Sequence, residues 1–324
     1  MDATRNRRPP DLQGRVEAFV SAHLPPAVDV TLGLSGGCDS VVLLHLLRRI
    51  PALGGRLGAV HVHHGLSAHA DAWADFCTDY CTALEIPLQV IRVSVPRQSG
   101  AGLEAAARQA RYAAFADHAA NCLCLAQHRG DQAETVLLNL LRGTGLTGAA
   151  GMPAERQIGQ LRVFRPLLTV TRADIEAYAQ AHGLRWVEDD SNADIGFRRN
   201  FLRREVLPRL ASRFPALEAN LAQAAAHFGE AAGLLDALAD SDWQIVRRGE
   251  TATLRELRQL PMPRLKNLLR YRLRQLGWQV PVASRLEEFA RQLSSAAPDR
   301  HPELVLPAGV MRVRAGCLHW LPHP

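Results

Sequence analysis

Lysine is almost absent from this chain. Of 38 basic residues, Lys266 is the single lysine, and all the others are arginines. Contacts with a polyanion must therefore be made mainly by planar guanidinium forks. No apolar run approaches the roughly eighteen residues expected of a membrane span, and the start MDATRNRRPPDLQGR has no apolar core of a secretion signal. Cys-x-x-Cys pairs are missing too. Cys38, Cys77, Cys81, Cys122, Cys124 and Cys317 read as buried reduced thiols of a cytoplasmic protein. These absences argue against membrane insertion and against a disulfide framework. What is present is a chain of 324 residues, 47% hydrophobic, enough for a sizeable core and two or three domains. Its net charge of +6 favours a polyanionic partner.

The first half repeats a unit of about thirty residues, the length of a βαβ crossover. VDVTLGLS alternates Val28, Val30, Leu32 and Leu34 and predicts a strand. Further strands are expected at Leu57–Val62, Leu88–Val95 and Cys122–His128. Helices are expected near Val41–Arg49, Ala68–Leu84, Leu103–Ala120 and Asp131–Arg142. The alternation implies an α/β fold with a parallel sheet covered on both faces. After the turn-rich segment Gly143–Pro153 come a strand in LRVFRPLL and a helix in TRADIEAYAQAHG, with Thr171 as its cap and Gly183 as its stop. Ala216–Leu293 reads as helical, and ELVLPAGVMRVRAGCLHWL as a short β-meander. The expected divisions are an N-terminal extension with a first helix over 1–24, a catalytic domain over 25–214 and a smaller, mainly helical domain over 215–324 that ends in the meander.

In an open parallel sheet, ligands bind beyond the carboxyl ends of the strands. SGGCDS follows the first strand, HVHHGL straddles the end of the second, and QHRGDQAET follows the fourth. Gly36 and Gly37 allow a tight turn and close backbone approach to an anion. Successive N–H groups and the helix start can hold phosphate oxygens. No Gly-Lys-Ser/Thr is present, so this is not the lysine-bearing P-loop. Ser35 and Ser40 offer hydroxyls. Asp39 would repel phosphate directly and makes sense as a ligand for the magnesium that ATP brings. The plainer alternative is a strand–helix turn capped by Asp39 or Ser40.

SGGxDS after a first strand resembles the loop of N-type ATP pyrophosphatases (the PP-loop superfamily). HVHHGL, LEAAARQARY, HRGDQAET, NLLRGTGLTGAAGM, RPLL and WVEDDSNADIGFRRNFLR follow in one order. Together they resemble the bacterial tRNA(Ile)-lysidine synthetase family, densely over 28–210 and more thinly beyond. The resemblance implies a Rossmann-like fold of the adenine nucleotide alpha hydrolase type and a cytoplasmic ligase. ATP would adenylate the C2 oxygen of the wobble cytidine (position 34) in isoleucine tRNA with a CAU anticodon. Free L-lysine would then displace AMP to give lysidine. Two other readings stay open: a different tRNA-modifying ATP pyrophosphatase, such as a 2-thiocytidine enzyme, and a non-catalytic RNA-binding relative. Protein partners, a homodimer among them, are left open.

Residue roles follow from this resemblance. Ser35, Gly36, Gly37, Cys38, Asp39, Ser40, His64 and Gly65 are the ATP side. Asp39 and Asp131 are the magnesium ligands and assist adenylation; Glu134 lies near the lysine or cytidine; Arg199 completes the catalytic set. Arg108, Arg111, Arg142, Asp189, Asn192, Asn200 and Arg203 face substrate or tRNA. The residues alone allow plainer readings: helix-start acids favoured by the dipole for Asp131 and Glu134, an ion-pair ladder for Glu104, Arg108 and Arg111, and a capped basic helix for the segment at Arg199. His61, His63 and His64 alternate along a strand end, so they cannot all meet one metal. The chain departs from the family pattern at Gly130, often an acid, at Ser67, usually arginine, and at Asp190, often proline. Between Arg255 and Arg274 seven basic residues face only Glu256. That imbalance marks Arg264, Arg270 and Arg274 as expected contacts to tRNA phosphates, the more so because longer relatives carry an additional C-terminal domain for that purpose.

Overall fold

The computed structural model describes residues 11–96, 103–188, 196–295 and 300–323, except for the side chain of Glu104. The chain divides into two compact units, one ending at His227 and the other starting at Phe228.

The first unit is built on a six-stranded sheet. Its strands are β1 (Val30–Gly33), β2 (Leu57–His63), β3 (Leu88–Arg92), β4 (Cys122–Cys124), β5 (Glu155–Ile158) and β6 (Leu161–Phe164), in the order β3-β2-β1-β4-β6-β5. All pair in parallel except β5, which runs antiparallel to β6 along one edge. The sequence pattern does not reveal β5, because ERQI is polar and exposed rather than alternating. The helices are α1 (Leu12–His23), α2 (Cys38–Arg48), α3 (Ala70–Ala83), α4 (Leu103–His118), α5 (Arg129–Leu141), α6 (Leu146–Ala149) and α7 (Arg172–Ala181). The single turn α6 lies inside the segment Gly143–Pro153 that reads as turn-rich. Past α7 come α8 (Arg198–Phe201), a π-helical turn over Leu202–Val206, and α9 (Leu207–Ala211).

Strand alternation sorts the core onto two faces. Val30, Leu57 and Cys122 lie in one paired row, and Leu32, Ala59 and Cys124 in another. These rows pack with α1, α2 and α7. Val60, Val62, Leu123, Leu125 and Val163 point the other way, against Ala114 and Phe115 of α4. In α1, Leu12, Val16 and Val20 bury one stripe, and Asp11 caps the helix through Gly14 N–H at 2.9 Å. Thr171 caps α7 as expected, accepting from Asp174 N–H at 2.9 Å. The chain moves outward in one direction from β1 and in the other from β4. These neighbouring strands are therefore the topological switch point, the place where an α/β sheet opens a crevice for ligands.

The helix α10 (Leu217–Val246) contains the division between the units. The second unit continues with β7 (Arg247–Arg248), β8 (Thr251–Thr253), α11 (Leu254–Leu257), α12 (Met262–Gln275), α13 (Ala283–Ser295), β9 (Glu303–Leu306), β10 (Gly309–Arg314) and β11 (Cys317–Pro322). The expected meander is β9–β10–β11. The hairpin β7–β8 joins it and makes a five-stranded antiparallel sheet, β7-β8-β11-β10-β9. Leu265, Leu268, Leu269 and Leu273 of α12 pack against Leu286, Phe289 and Leu293 of α13 in the core. No helix among the described residues is long and apolar enough to cross a membrane.

The basic segment reads differently in three dimensions. Its acids come from other elements. Asp242 of α10 pairs with Arg264, Asp236 with Arg274, Glu250 with Arg272 at 3.3 Å, and Glu287 with Lys266 at 3.3 Å. Arg272 also lies over the Trp243 ring, 3.8 Å from its centroid. The imbalance counted within the segment is thus largely neutralised within the unit. Arg264 and Arg274 are engaged in holding α12 to α10. Asp242 is 0% exposed, so removing Arg264 leaves a buried carboxylate without its cation. Arg264→Ala is expected to lower the thermal unfolding midpoint, whereas Arg255→Ala, at a side chain 90% exposed, is not. Circular dichroism melts of both variants test this; equal midpoints would show that the Asp242 pair is not structural.

Candidate active site

The loop after β1 is fixed by its own atoms. Ser40 is buried, and its hydroxyl donates to Gly37 O at 2.9 Å. Its oxygen accepts Ser35 N–H at 3.2 Å, and Ser35 Oγ accepts Gly37 N–H at 3.3 Å. The Ser40 hydroxyl thus shapes the turn from within. Gly36 has φ +87°, and a Cβ there would come within 2.9 Å of Val187 Cγ2, so glycine is required. Gly37 is the N-cap of α2 and makes no side-chain capping bond, so neither Asp39 nor Ser40 caps this helix. The first intrahelical bond is Val41 N–H to Gly37 O. The preceding N–H groups of the first turn are therefore oriented for an external anion. Burial pushes the Cys38 thiol up to about 11, so it stays neutral at physiological pH and offers the loop only its backbone.

Asp39 meets the end of β4 across the switch point. His128 caps α5: its Nδ1 accepts Gly130 N–H at 3.0 Å, and Asp131 Oδ2 accepts His128 N–H at 3.0 Å in return. That arrangement directs His128 Nε2 toward both acids, 4.0 Å from Asp39 Oδ2 and 3.7 Å from Asp131 Oδ2. A Cβ at Gly130 would come within 2.8 Å of His128 Cε1, so glycine here lets the ring fold back onto the helix start. Burial, with Asp131 nearby, raises the Asp39 pKa against the pull of His128 and Arg172. Arg172, the first residue of α7, holds Asp39 Oδ2 at 2.5 Å. Arg172 belongs to none of the sequence motifs; its only signal is its place at a helix start beyond the carboxyl end of a strand.

Glu134 sits one turn along α5, with its side chain 3% exposed. Arg199 Nε donates to Oε2 at 3.0 Å and Arg203 Nε to Oε1 at 2.5 Å. Arg203 Nη2 also bonds Asp131 Oδ1 at 2.9 Å, and Arg199 Nη2 bonds Thr135 Oγ1 at 3.0 Å. Both Glu134 oxygens accept from guanidiniums, so it anchors α8 and the π-helical turn from a buried position. Asn200 lies on α8, and Arg142 is the exposed C-cap of α5. Asp189 and Asn192 lie outside the described residues.

The three histidines separate. His61 Nδ1 bonds Leu34 O at 2.9 Å, and His63 Nε2 faces Asp71 at 3.2 Å. His64 is the first residue past β2, and Gly65 with φ +64° turns the chain there. Arg108 lies over the Tyr112 ring, 5.1 Å from its centroid, while Arg111 is exposed on α4. Three buried atoms at this edge have no hydrogen-bond partner among the described residues: Asp39 Oδ1, His64 Nδ1 and Gln127 Oε1. Each follows a different strand, and buried polar atoms in that condition favour a polar ligand. An N–H cradle, two converging carboxylates and fixed guanidiniums suit a nucleoside triphosphate with a divalent cation.

Comparison with known proteins agrees. A family described as PP-loop domain matches residues 10–210, and one described as TilS substrate binding domain matches 253–319. A tRNA(Ile)-lysidine synthase of Nitrosomonas europaea is 42% identical over 305 residues, covering 93% of this chain and 67% of that protein. That of Aromatoleum aromaticum is 47% identical, covering 90% and 68%, and that of Alkalilimnicola ehrlichii is 43% identical, covering 97% and 71%. The chain thus spans about two thirds of the length of these relatives. Among solved structures, the U34-tRNA thiolase NcsA of Methanococcus maripaludis shares the fold, with TM-score 0.56 at 14% identity over 68% of this chain and 78% of that one.

Burial and the charge of Arg111 lower the His64 pKa from 6.5 to about 4. Between those values the folded protein keeps the ring neutral while the unfolded chain binds a proton. The contribution of His64 to stability is therefore full above pH 6.5 and is lost as pH falls toward 4. Relative to His64→Gln, the wild type is expected to lose about 1–2 kcal/mol more stability between pH 7.5 and pH 5, allowing for solvent screening. Denaturant unfolding at both pH values measures it; parallel losses in the two proteins would refute the assignment.

Proposed function

The chain belongs to the tRNA(Ile)-lysidine synthase family, a family of carbon–nitrogen ligases, and on that premise we propose how it acts. It joins free L-lysine to C2 of the wobble cytidine, position 34, of isoleucine tRNA with a CAU anticodon. ATP first adenylates the C2 oxygen and releases pyrophosphate; the lysine ε-amine then attacks C2, and AMP leaves. The observation that carries this reading is the meeting, at the β1/β4 switch point, of the anion-binding loop with Asp39 and Asp131.

The triphosphate lies along the N–H groups of the first turn of α2, Cys38 to Ser40. Asp39 and Asp131 converge on His128, and Asp39 Oδ1 is buried without a partner, which fits a divalent cation arriving with ATP. Magnesium bound there would neutralise phosphate charge. Arg199 and Arg203, anchored by Glu134, present the basic side of α8 to the cytidine and its flanking phosphates. A 2-thiocytidine-type activity is less well supported. Cys38, Cys77, Cys81, Cys122 and Cys124 are buried, and burial raises every one of these thiols, which suits packing rather than sulfur transfer. The meeting of Asp39 and Asp131 at His128 favours catalysis over binding alone.

Pyrophosphate release should require tRNA, and AMP-coupled lysine incorporation should require both tRNA and lysine. Release that ignores tRNA would overturn the proposal. Asp39→Asn is expected to cut adenylation on the order of a hundredfold or more without loss of fold. Pyrophosphate release at the wild-type rate would remove Asp39 from the chemistry. Glu134→Gln is expected to reduce turnover with tRNA and lysine by roughly tenfold to a hundredfold while ATP affinity holds, because it frees two arginines. A variant that loses ATP affinity and keeps turnover would contradict the anchoring role.

A further inference from the structure

The loop after β1 has the backbone of a phosphate cradle but no cation of its own. Residues 35–40 contain no lysine or arginine, and Asp39 adds negative charge where phosphates would gather. The cation that reaches the loop is Arg172, from an element 133 residues away. Arg172 Nη1 holds Asp39 Oδ2 at 2.5 Å, and its Nε donates to Glu176 Oε1 at 2.7 Å, one turn further along α7. The corner before it is pinned from two sides. Arg15 Nη2 bonds Thr169 O at 3.2 Å and Thr169 Oγ1 at 3.0 Å, while Arg129 N–H bonds Val170 O at 2.9 Å. The Arg172 side chain is nevertheless 41% exposed, so part of a rigidly aimed guanidinium faces outward beside the loop. Arg203, the other arginine of this edge whose charge acts on Asp39, is already committed to Glu134 and Asp131.

We propose that Arg172 supplies the cationic phosphate contact that the loop lacks, binding the β- and γ-phosphates of ATP and remaining on pyrophosphate as it departs. This rests on the reading that ATP is cleaved at this loop. As the cytidine C2 oxygen bonds to the α-phosphorus, the bond from that phosphorus to the α,β-bridging oxygen breaks. The electron pair leaves with pyrophosphate, and the guanidinium meets that added charge. Glu176 and Asp39 orient the fork so that little rearrangement is needed.

Arg172→Met and Arg172→Lys test the assignment, with melts to establish folding. Each protein is titrated calorimetrically with ATP, with inorganic pyrophosphate and with AMP, in magnesium chloride and without tRNA or lysine. Arg172→Met is expected to weaken ATP and pyrophosphate by roughly tenfold to a hundredfold and to leave AMP unchanged. Arg172→Lys, which keeps the charge but not the fork, is expected to recover part of the loss and carries the same comparison if the methionine variant does not fold. Equal weakening of AMP and ATP would make Arg172 only a positioning residue for Asp39 and overturn the proposal. So would undiminished pyrophosphate binding. Wild-type protein that binds neither ATP nor pyrophosphate would overturn the parent reading as well, and is distinguishable from both.

Discussion

Two neighbouring parallel strands, β1 and β4, send the chain away in opposite directions along the sheet. That constraint places the N-terminus of α2 and the N-terminus of α5 at one crevice. Everything chemical in the first unit depends on it. Each helix start presents backbone N–H groups and each carries an acid, Asp39 on α2 and Asp131 on α5. Separately these are ordinary helix starts. Brought together, they pair a region of positive backbone potential with two carboxylates that repel one another.

The carboxylates are tolerated because arginines are interleaved with them. Arg172 holds Asp39, Arg203 holds both Asp131 and Glu134, and Arg199 holds Glu134 again. His128 joins the two halves of this series through Nε2. The basic members come from α7, α8 and the π-helical turn, so assembling the site requires those later elements to dock on the sheet edge. The π turn over Leu202–Val206 accompanies the placement of Arg199 and Arg203 on the one carboxylate. Irregular helical turns of this kind recur at functional sites.

The strands and the phosphate loop were legible because each leaves a local mark. Val30 and Leu32 alternate with polar or small neighbours, and two adjacent glycines precede a helix. What was hidden was pairing between distant elements. The segment containing Arg264 and Arg274 looks unbalanced because its partners Asp242 and Asp236 lie on α10, in direct contact in space but more than twenty residues away in sequence. Arg172 was invisible for the same reason. Short polar strands also left no mark: ERQI in β5, and the pieces RR and TAT of the β7–β8 hairpin, owe their extended form to strand partners and not to their own pattern. Glu134 is the instructive case at the site. Its position on α5 could be read, but whether it faced substrate or an arginine depended on where α8 docks.

The scarcity of lysine gives the edge a particular character. A guanidinium stays charged across the physiological range and bonds carboxylate or phosphate with the same planar fork. Arg172 can therefore hold acids of the protein and still present N–H groups of the right geometry to phosphate oxygens. An ammonium group would offer one point charge and no fixed direction. In this arrangement the acids do two things: they hold the arginines in place, and they keep the fork oriented before phosphate arrives. Orientation set in advance reduces the ordering that binding would otherwise require. A crevice that pairs its own acids with arginines is thereby prepared for the charge of a nucleotide, using cations that no single stretch of the sequence displays as a set.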